Sequence, residues 1–444
     1  MSRKSLIFSL VAVLFFMWAV SAEWKSLDNS RSASPLQVKI LNADSHQIKL
    51  EIVVPGYEEK VIEVKGHKYL LLSVPKSLYI RKKGFPLLPV LTRMLKIHDY
   101  RHVKLEVVEK DEAEVELKYP IVPSKGHLTR NIDPNTVDCI CGPIYKKDVF
   151  FPKKQFVLGK AFSLRNVRGA RLSVVPFRPN HVQMKMKVLK RAIITLTCGE
   201  VSNENVVYQS RNVTVPGKAF RTIYGQAFMN YKPVLTRGFP EESENKLVLV
   251  YPDATFKAAV QKSAWYAKRN KTYQITEVTL EEIGSTNSAI KDYLQKKYDA
   301  INFSYVILFG DIEDMPTNRG DYESAHSDRV YVRLAGNDYI PDAFISRVSG
   351  TVKEVEVQLN KVVAYEKAAG GTWLKSAVLV GSLQGSPSDK TRLEEIKKDL
   401  QSFGYTNFTT AYTNGYDSGL KADVAKAGNA GASVMCYVGH GSET

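Results

Sequence analysis

The chain has 444 residues, of which 44% are hydrophobic and 24% are charged, a composition typical of soluble globular domains that excludes an intrinsically disordered chain. This length exceeds that of one ordinary domain and predicts two or three. The formal net charge of +16 indicates a basic surface. Nucleic-acid binding is not favoured, because the sequence has no Arg/Lys-rich recognition helix, zinc-finger spacing or aromatic motif of the RNP type.

The first 22 residues have the pattern of a secretory signal peptide. A basic pair at positions 3 and 4 precedes an apolar run over residues 6–20, and small residues at positions 20–22 predict cleavage before Glu23. The apolar run is shorter than a bilayer span and no positive stop-transfer cluster follows, so we expect no stable membrane span. The sequence therefore predicts a secreted or cell-surface protein with signal peptide 1–22.

Residues 23–237 are predicted to form a β-rich domain. Short stretches that alternate or cluster β-branched residues are separated by turn-forming residues, and long helical patterns are absent. This pattern of short strands and turns favours an all-β sandwich or barrel. The expected strands are residues 37–41, 47–54, 103–108, 113–117, 171–175 and 192–197.

An exposed linker is predicted at residues 238–245, where Gly, Pro and three Glu residues occur without apolar periodicity. Arg237 immediately precedes this acidic stretch and is a candidate cleavage position. The alternative is that Arg237 is one of many surface arginines.

Strands and helices alternate in residues 246–444, which predicts an α/β domain with a mostly parallel sheet. In such sheets the chemistry lies outside the carboxyl ends of the strands. The expected strands are residues 247–251, 273–278, 305–309, 377–380, 408–412 and 433–438. The expected helices are residues 254–269, 287–298, 352–369, 392–403 and 420–427.

Only four cysteines occur, so stability does not depend on a disulfide framework. The three cysteines Cys139, Cys141 and Cys198 allow one disulfide and would leave one free thiol. Zinc is not favoured, because no second pair of cysteines and no nearby histidines accompany Cys139 and Cys141. Cys436 lies inside a predicted strand, where a buried thiol is unreactive.

His440 is the first candidate for catalysis. It follows the carboxyl end of a predicted buried strand and is flanked by Gly439 and Gly441, which allow a sharp turn and close approach to a substrate. An imidazole at such a position suits a general base. The alternative is a turn histidine without a catalytic role.

Residues 434–444, VMCYVGHGSET, resemble the histidine motif of the gingipain family of caspase-like cysteine peptidases. Upstream segments occur in the family's order, and the resemblance extends over residues 245–444. Residues 84–89, GFPLLP, and the β-rich half resemble the gingipain propeptide more loosely. The upstream segments are residues 306–311, 315–316, 327–331, 336–339 and 344–347.

The resemblance implies a secreted cysteine endopeptidase zymogen, with His440 as the catalytic histidine and the Gly441 N–H as one oxyanion donor. It also implies a nucleophilic cysteine on the next strand, beyond residue 444, so this chain would be a precursor fragment that is inactive alone. Protein or peptide substrates are the expected partners, and the propeptide is the expected inhibitor.

Two further residues match functional positions of the family. Gln384 occupies the position of the carboxylate that orients the catalytic histidine, and the alternative is a plain loop residue. Asp389 matches an aspartate that binds the substrate's basic side chain in arginine-cleaving members, which would favour cleavage after Arg or Lys. The alternative for Asp389 is a helix cap.

No cofactor is expected, although Asp311, Asp314, Asp338 and Asp342 leave a calcium site open as an alternative. Two other functions also stay open: a peptidase of the bacterial protein-secretion machinery, and a non-catalytic secreted binding protein with the same fold.

Overall fold

The computed structural model describes residues 22–29, 33–128, 132, 136–207, 215–232, 243–320, 324–368, 370–385, 387–414 and 418–439. The apolar run of the predicted signal peptide, the candidate cleavage residue Arg237, and His440 with Gly441 lie outside these ranges. None of the helices in these ranges combines the length and hydropathy that a membrane span requires.

Antiparallel strands form most of the first half of the described chain, as predicted. Three sheets have the strand orders β1-β4-β5, β6-β7-β10-β9 and β11-β12-β3-β2, and β8 also pairs with β12. The strands are β1 (Glu23–Ser26), β2 (Gln37–Ala43), β3 (Gln47–Val53), β4 (Gly56–Val64), β5 (His67–Ser73), β6 (Leu78–Tyr79), β7 (Pro89–Lys96), β8 (Arg101–Glu116), β9 (Phe156–Leu164), β10 (Val167–Val174), β11 (Phe177–Asn180) and β12 (Lys185–Val201).

Alternation along each strand builds the core of this β-rich region. On β3, Ile48, Leu50 and Ile52 point inward and are buried, while the residues between them are partly exposed. Successive side chains of a strand face opposite sides of the sheet, so every second residue reaches the core. On β12, Ile194 and Leu196 contribute to the same core. The all-β prediction is thus confirmed for this region.

A half-buried histidine makes the β-rich region sensitive to acid. The Nε2 atom of His181 accepts a hydrogen bond from the Ile121 N–H at 3.3 Å, and its ring stacks on Tyr145 with centroids 4.0 Å apart. Burial lowers the pKa of His181 from 6.5 to about 4. The imidazole is therefore neutral in the folded state at pH values where the unfolded chain protonates it.

We expect the free energy of unfolding to fall by roughly 2–3 kcal/mol between about pH 6.5 and about pH 4 through His181 alone. The unfolded chain binds the proton first, so this stability is full above the ordinary pKa of 6.5 and is lost as pH falls toward 4. Urea unfolding at both pH values measures it. His181→Gln keeps an acceptor without titrating and should flatten the dependence, whereas the control His67→Gln, at an exposed histidine of β5, should not. An unchanged pH dependence in His181→Gln would contradict the assignment.

Helix α1 (Lys218–Ala227) packs on the β-rich region through the buried residues Phe220 and Tyr224. The carboxylate of Glu244 accepts hydrogen bonds from the N–H groups of Ala219 at 3.0 Å and Phe220 at 3.1 Å. A carboxylate at a helix N-terminus satisfies free N–H groups and the helix dipole. The end of the predicted linker 238–245 is therefore half-buried at Glu244 rather than exposed.

Parallel strands and helices form the second half of the described chain, so the predicted α/β architecture is confirmed. The parallel strands divide between two sheets: a first sheet of order β14-β13-β15-β18 and a second sheet of order β20-β19-β21. Two short strands, β16 and β17, pair antiparallel outside these sheets. The strands are β13 (Lys246–Tyr251), β14 (Gln274–Thr279), β15 (Tyr305–Phe309), β16 (Asn318–Arg319), β17 (His326–Ser327), β18 (Phe344–Val348), β19 (Ser376–Gly381), β20 (Asn407–Tyr412) and β21 (Val434–Val438). The helices are α2 (Ala254–Lys262), α3 (Ala264–Arg269), α4 (Leu280–Ile283), α5 (Asn287–Ile301), α6 (Val352–Lys367), α7 (Asp389–Ser402) and α8 (Ser418–Ala430).

Strand β13 is central in the first sheet and is buried on both faces. Val248 and Val250 pack in a core with residues of α5, while Leu247 and Leu249 pack on the other face with residues of α2, α3 and α6. A continuous apolar run is what a parallel strand covered on both sides requires. The carboxyl ends of this sheet and of the second sheet carry the loops that matter for the site.

Candidate functional site

The loop after β19 is tied to the first turn of α7. The Ser382 hydroxyl donates to the Asp389 carboxylate at 2.5 Å, and the Asp389 N–H donates to the Gln384 carbonyl at 3.0 Å. The Lys390 N–H donates to the Ser382 carbonyl at 3.1 Å. These hydrogen bonds fix the backbone of the loop, and they leave the Gln384 side chain exposed.

Asp389 is the first residue of α7 and is only 1% exposed. The residue before it, Ser388, caps the helix, because its hydroxyl accepts a hydrogen bond from the Thr391 N–H. The positive end of the helix dipole favours a carboxylate in this first turn. In this geometry Asp389 holds the loop of Ser382 onto the helix, which is the kind of role that the capping alternative describes.

Strands β19 and β21 run parallel and are direct neighbours, with Gly381 paired to Val438. The loop that carries Gln384 and the chain that follows Val438 therefore leave the second sheet at the same edge. His440 and Gly441, two and three residues after Val438, are outside the described residues. Cys436 pairs with Leu379 in the middle of β21 and is half-buried, so it occupies a strand position rather than this edge.

A half-buried ion pair organises the carboxyl edge of the first sheet. The Arg347 guanidinium, on β18, donates to both carboxylate oxygens of Asp328 at 2.8 Å. It also donates to the carbonyls of Gly310 at 3.1 Å, Met315 at 2.7 Å and Pro316 at 3.3 Å. One side chain thus holds the whole loop after β15. Arg347 lies in the segment 344–347 that carries the family resemblance, but no role for it was predicted from the sequence.

The conformation of Gly310 presents its carbonyl to Arg347. Its φ of +93° lies in the left-handed region, which favours glycine, and a Cβ there would lie 2.9 Å from the Cγ atom of Pro252. The segment 306–311, which carries part of the family resemblance, ends in Gly310 and Asp311, and this geometry gives a steric reason for the glycine.

Burial acts to raise the pKa of the Asp328 carboxyl, but its bonds from Arg347 and Thr317 outweigh this and hold the pKa below the ordinary value of 3.8. Asp328 is therefore ionised near neutral pH and forms a true ion pair. Its side chain is 22% exposed and that of Arg347 is 11% exposed, so solvent screens the pair weakly.

The four aspartates considered for calcium lie at opposite ends of the first sheet. Asp311 and Asp314 follow the carboxyl end of β15, whereas Asp338 and Asp342 precede the amino end of β18. Asp338 and Asp342 instead accept N–H groups of the β-rich region. Throughout the described ranges, no group of three or more His, Cys, Asp or Glu side chains is arranged to hold a metal ion. The four cysteines are free thiols, and the structure contains no disulfide among them.

Two family profiles match this chain in succession. The propeptide family of C25 peptidases matches residues 28–232, and Peptidase family C25 matches residues 241–444.

Among curated relatives, gingipain R2 of Porphyromonas gingivalis is 29% identical over 423 residues, which cover 92% of this chain and 56% of the relative. Gingipain R1 of the same organism is 31% identical over 380 residues, which cover 82% of this chain and 37% of the relative. Lys-gingipain of the same organism is 24% identical over 405 residues, which cover 86% of this chain and 23% of the relative. The chain thus spans less than two thirds of each of these relatives.

Among solved structures, the complex of Porphyromonas gingivalis RgpB pro- and mature domains aligns with a TM-score of 0.40 and 26% identity, covering 44% of this chain and 98% of that chain. The crystal structure of gingipain R aligns with a TM-score of 0.41 and 27% identity, covering 48% of this chain and 50% of that chain. The two successive profile matches and the relatives lead to one conclusion. The chain belongs to the gingipain-type cysteine peptidases, Peptidase family C25, as a precursor that includes a C25 propeptide region.

Proposed function

We propose that the full-length protein is a secreted cysteine endopeptidase that is made as a zymogen. In this proposal residues 1–22 are a signal peptide, residues 23–237 the propeptide, residues 238–245 a linker, and residues 246–444 the first part of the peptidase domain. The nucleophilic cysteine would lie outside residues 1–444, so residues 23–444 alone would not hydrolyse peptides.

His440 would act as the general base that takes the proton of the cysteine thiol. The thiolate attacks the scissile carbonyl, and the negative charge that develops on the carbonyl oxygen is stabilised by the Gly441 N–H. His440 then returns the proton to the leaving amine, and water hydrolyses the acyl-enzyme. Gln384 would orient the imidazole by a hydrogen bond, although an amide does not offset the charge of an imidazolium as a carboxylate does.

The observation that carries this proposal is the parallel pairing of β19 with β21. This pairing supports a site at the carboxyl edge of the second sheet, because the Gln384 loop and the strand that leads to His440 end there side by side. Family membership supports the reaction class independently of that geometry.

For specificity, we propose cleavage after Arg or Lys, with Asp389 as the carboxylate that recognises the basic side chain. A buried carboxylate favours a cation through charge-assisted hydrogen bonds. The burial of Asp389 and its fixation by Ser382 support a preorganised group, because its orientation is set before substrate binds.

The test uses the full-length protein and matched peptide amides with Arg, Lys or a neutral residue before the scissile bond. We expect Asp389→Asn to reduce kcat/KM for Arg and Lys substrates roughly 10-fold to 150-fold, which corresponds to about 1.5–3 kcal/mol, the value of a hydrogen bond to a charged group. The loss for neutral substrates should be far smaller. Turnover should be abolished by alkylation of the nucleophilic thiol with iodoacetamide.

Ser388→Ala is the matched control, because it removes the helix cap and keeps the carboxylate. It should lower the melting temperature without changing the preference for basic substrates. An equal loss for all substrates in Asp389→Asn, together with a lower melting temperature, would mean that Asp389 is only structural. A full-length protein without thiol-dependent turnover would instead support the non-catalytic binding protein.

We further propose that the propeptide inhibits the peptidase domain and that cleavage after Arg237 separates the two. The match of residues 28–232 to the C25 propeptide family supports the first part. The change from basic to acidic residues after Arg237 supports the second, since a peptidase that prefers basic residues would accept this sequence. The protein substrates and the propeptide are the partners that this function requires.

A further inference from the structure

The hairpin of β9 and β10 contacts the α/β region through its turn. The two turn residues are Arg165 and Asn166, and Arg165 has a φ of +49°. The tip of a hairpin is normally in solvent, yet Arg165 is only 2% exposed. A buried guanidinium needs partners for its N–H groups, because an uncompensated charge in the interior is strongly destabilising.

Backbone carbonyls of the α/β region supply those partners. The Nη1 atom of Arg165 donates to the Phe303 carbonyl at 2.8 Å and to the Asp342 carbonyl at 3.1 Å. The Nη2 atom donates to the Asn302 carbonyl at 2.8 Å. Phe303 and Asp342 are themselves fully buried, so these carbonyls have little access to water and depend on the guanidinium.

The surroundings of the guanidinium also favour a planar cation. Two aromatic rings lie against it, that of Phe220 at 4.4 Å and that of Tyr298 at 5.5 Å from ring centroid to the guanidinium carbon. Asn302 ends helix α5 in the left-handed conformation, so Arg165 lies at the negative end of that helix's dipole.

Backbone hydrogen bonds align the hairpin around this side chain. The Arg165 N–H donates to the Asp342 carboxylate at 2.7 Å, and the Ser163 N–H donates to the Asp338 carboxylate at 2.6 Å. From the other side, the Asn337 N–H donates to the Asn205 side chain at 2.6 Å. The contact is therefore built from both regions and is specific in geometry.

This contact lies at the amino ends of the first sheet. Asn302 and Phe303 immediately precede β15, and Asp342 immediately precedes β18. The loop that Arg347 organises follows the carboxyl end of β15, at the opposite edge. The contact is thus separate from the carboxyl edges where catalysis is proposed.

We propose that the α/β region contains a binding site for an arginine side chain at the amino ends of its first sheet, and that Arg165 occupies it to retain the β-rich region. This inference deepens the proposed propeptide function, on which it rests. It adds a site that binds an arginine side chain without cleavage of the peptide bond that follows it. This site is distinct from any substrate pocket at the carboxyl edges.

The site is selective for arginine rather than lysine. A guanidinium presents five N–H donors in one plane. Three carbonyls and the Tyr298 ring of the α/β region surround it here, together with the Phe220 ring of α1. A lysine ammonium carries three donors on a single nitrogen, so it would not bind all the carbonyls that the separate Nη1 and Nη2 atoms of Arg165 bind. Substitution by lysine therefore separates recognition of the guanidinium from simple attraction of a positive charge.

The test is to cut the chain between its two regions and measure how long they stay together. A recognition sequence for a specific protease is inserted within residues 233–242, the chain is cut, and the complex is diluted. Size-exclusion chromatography then gives the dissociation half-life. We expect Arg165→Ala to shorten it roughly 30-fold to 1,000-fold, as for loss of one partner of a buried charged contact. Arg165→Lys should shorten it about 10-fold or more.

Arg171→Ala is the matched control, because Arg171 is an exposed arginine on the same hairpin. It should change the half-life less than about twofold. Circular dichroism of each uncut variant checks folding, and Arg165→Lys carries the test if the alanine variant does not fold. Regions that stay together in Arg165→Lys as long as in the unaltered chain would overturn the inference. Dissociation requires no turnover, so an inactive full-length protein would refute the proposed peptidase and leave this site intact.

Discussion

Replacing His440 by alanine in the full-length protein should lower kcat/KM roughly 10⁴-fold to 10⁶-fold, the loss expected when one member of a catalytic unit is removed. The cysteine would lose the base that forms its thiolate, and the leaving amine would lose its proton donor. Steady-state hydrolysis of Arg and Lys substrates measures the effect, and the melting temperature of the variant should stay within a few degrees of the unaltered protein.

His326→Ala serves as the control for His440→Ala, since His326 is an exposed histidine of the α/β region in the short strand β17. It should retain most of the activity. Hydrolysis that survives in His440→Ala at the unaltered rate would refute both the assignment of His440 and the proposed mechanism. Equal losses in the two variants would point to a structural effect instead of loss of a base.

Arg347→Met should lower the free energy of unfolding by about 2–4 kcal/mol, because a half-buried carboxylate and three backbone carbonyls lose their charged hydrogen-bond donor. Burial would then raise the pKa of the Asp328 carboxyl, because the hydrogen bond and the charge of Arg347 are among the main effects that hold it low. The carbonyls of Gly310, Met315 and Pro316 would also lose their donor. Urea unfolding followed by tryptophan fluorescence reports the change, since Trp265 is buried in the same region.

Lys268→Met is the matched control, because Lys268 forms a surface ion pair with Glu366 and its side chain is 51% exposed. Exposed pairs contribute about 0–1 kcal/mol, so this variant should be close to neutral. The double variant Arg347→Met/Asp328→Leu should recover part of the loss, because no unpaired carboxylate remains. An Arg347→Met variant no less stable than Lys268→Met would show that the pair does not hold this edge.

The central strands of both regions could be predicted from local sequence. The apolar run at residues 247–251 predicted a strand buried on both faces, and β13 confirms it. A short continuous apolar run fits a strand buried on both faces, and its length of only a few residues with two valines favours a strand over a buried helix segment. The residues 113–117 and 103–108 were expected as two strands, and the structure has the single strand β8. The polar stretch between them stays in the ladder because β12 pairs with it along its length, and Arg191 binds Glu109 there.

Helix boundaries depended on single capping residues. The predicted helix 254–269 is two helices, because the Ser263 hydroxyl accepts the Tyr266 N–H and starts α3. Helix α7 begins at Asp389, three residues before the prediction, because Ser388 caps it. Serine is common in loops as well as at caps, so the residue type alone does not fix such a boundary.

Contacts between distant parts of the chain could not be predicted. Arg165 and Asp342 are 177 positions apart, and the sequence around Arg165 indicates a turn but no partner. The role of Arg347 depends likewise on which loop folds over β18, and that strand was itself not predicted as a strand. For the candidate site, the order of strands was enough to bring the Gln384 loop and the end of β21 to one edge. The roles of Gln384, Asp389, Arg237, His440 and Gly441 stay predictions.

The position of the Arg165 hairpin has a consequence for timing. The hydrogen bonds described above for Arg165 join this hairpin to the amino ends of the first sheet, and their partners Asn302, Phe303 and Asp342 all lie well beyond residues 233–242. Cutting that chain breaks the covalent connection and leaves each of these bonds in place. A cut precursor is then a two-part complex. The delay between cleavage and release of the peptidase region is set by how fast the two parts separate. Separation is a unimolecular step, so this delay does not shorten as the concentration of cut precursor increases.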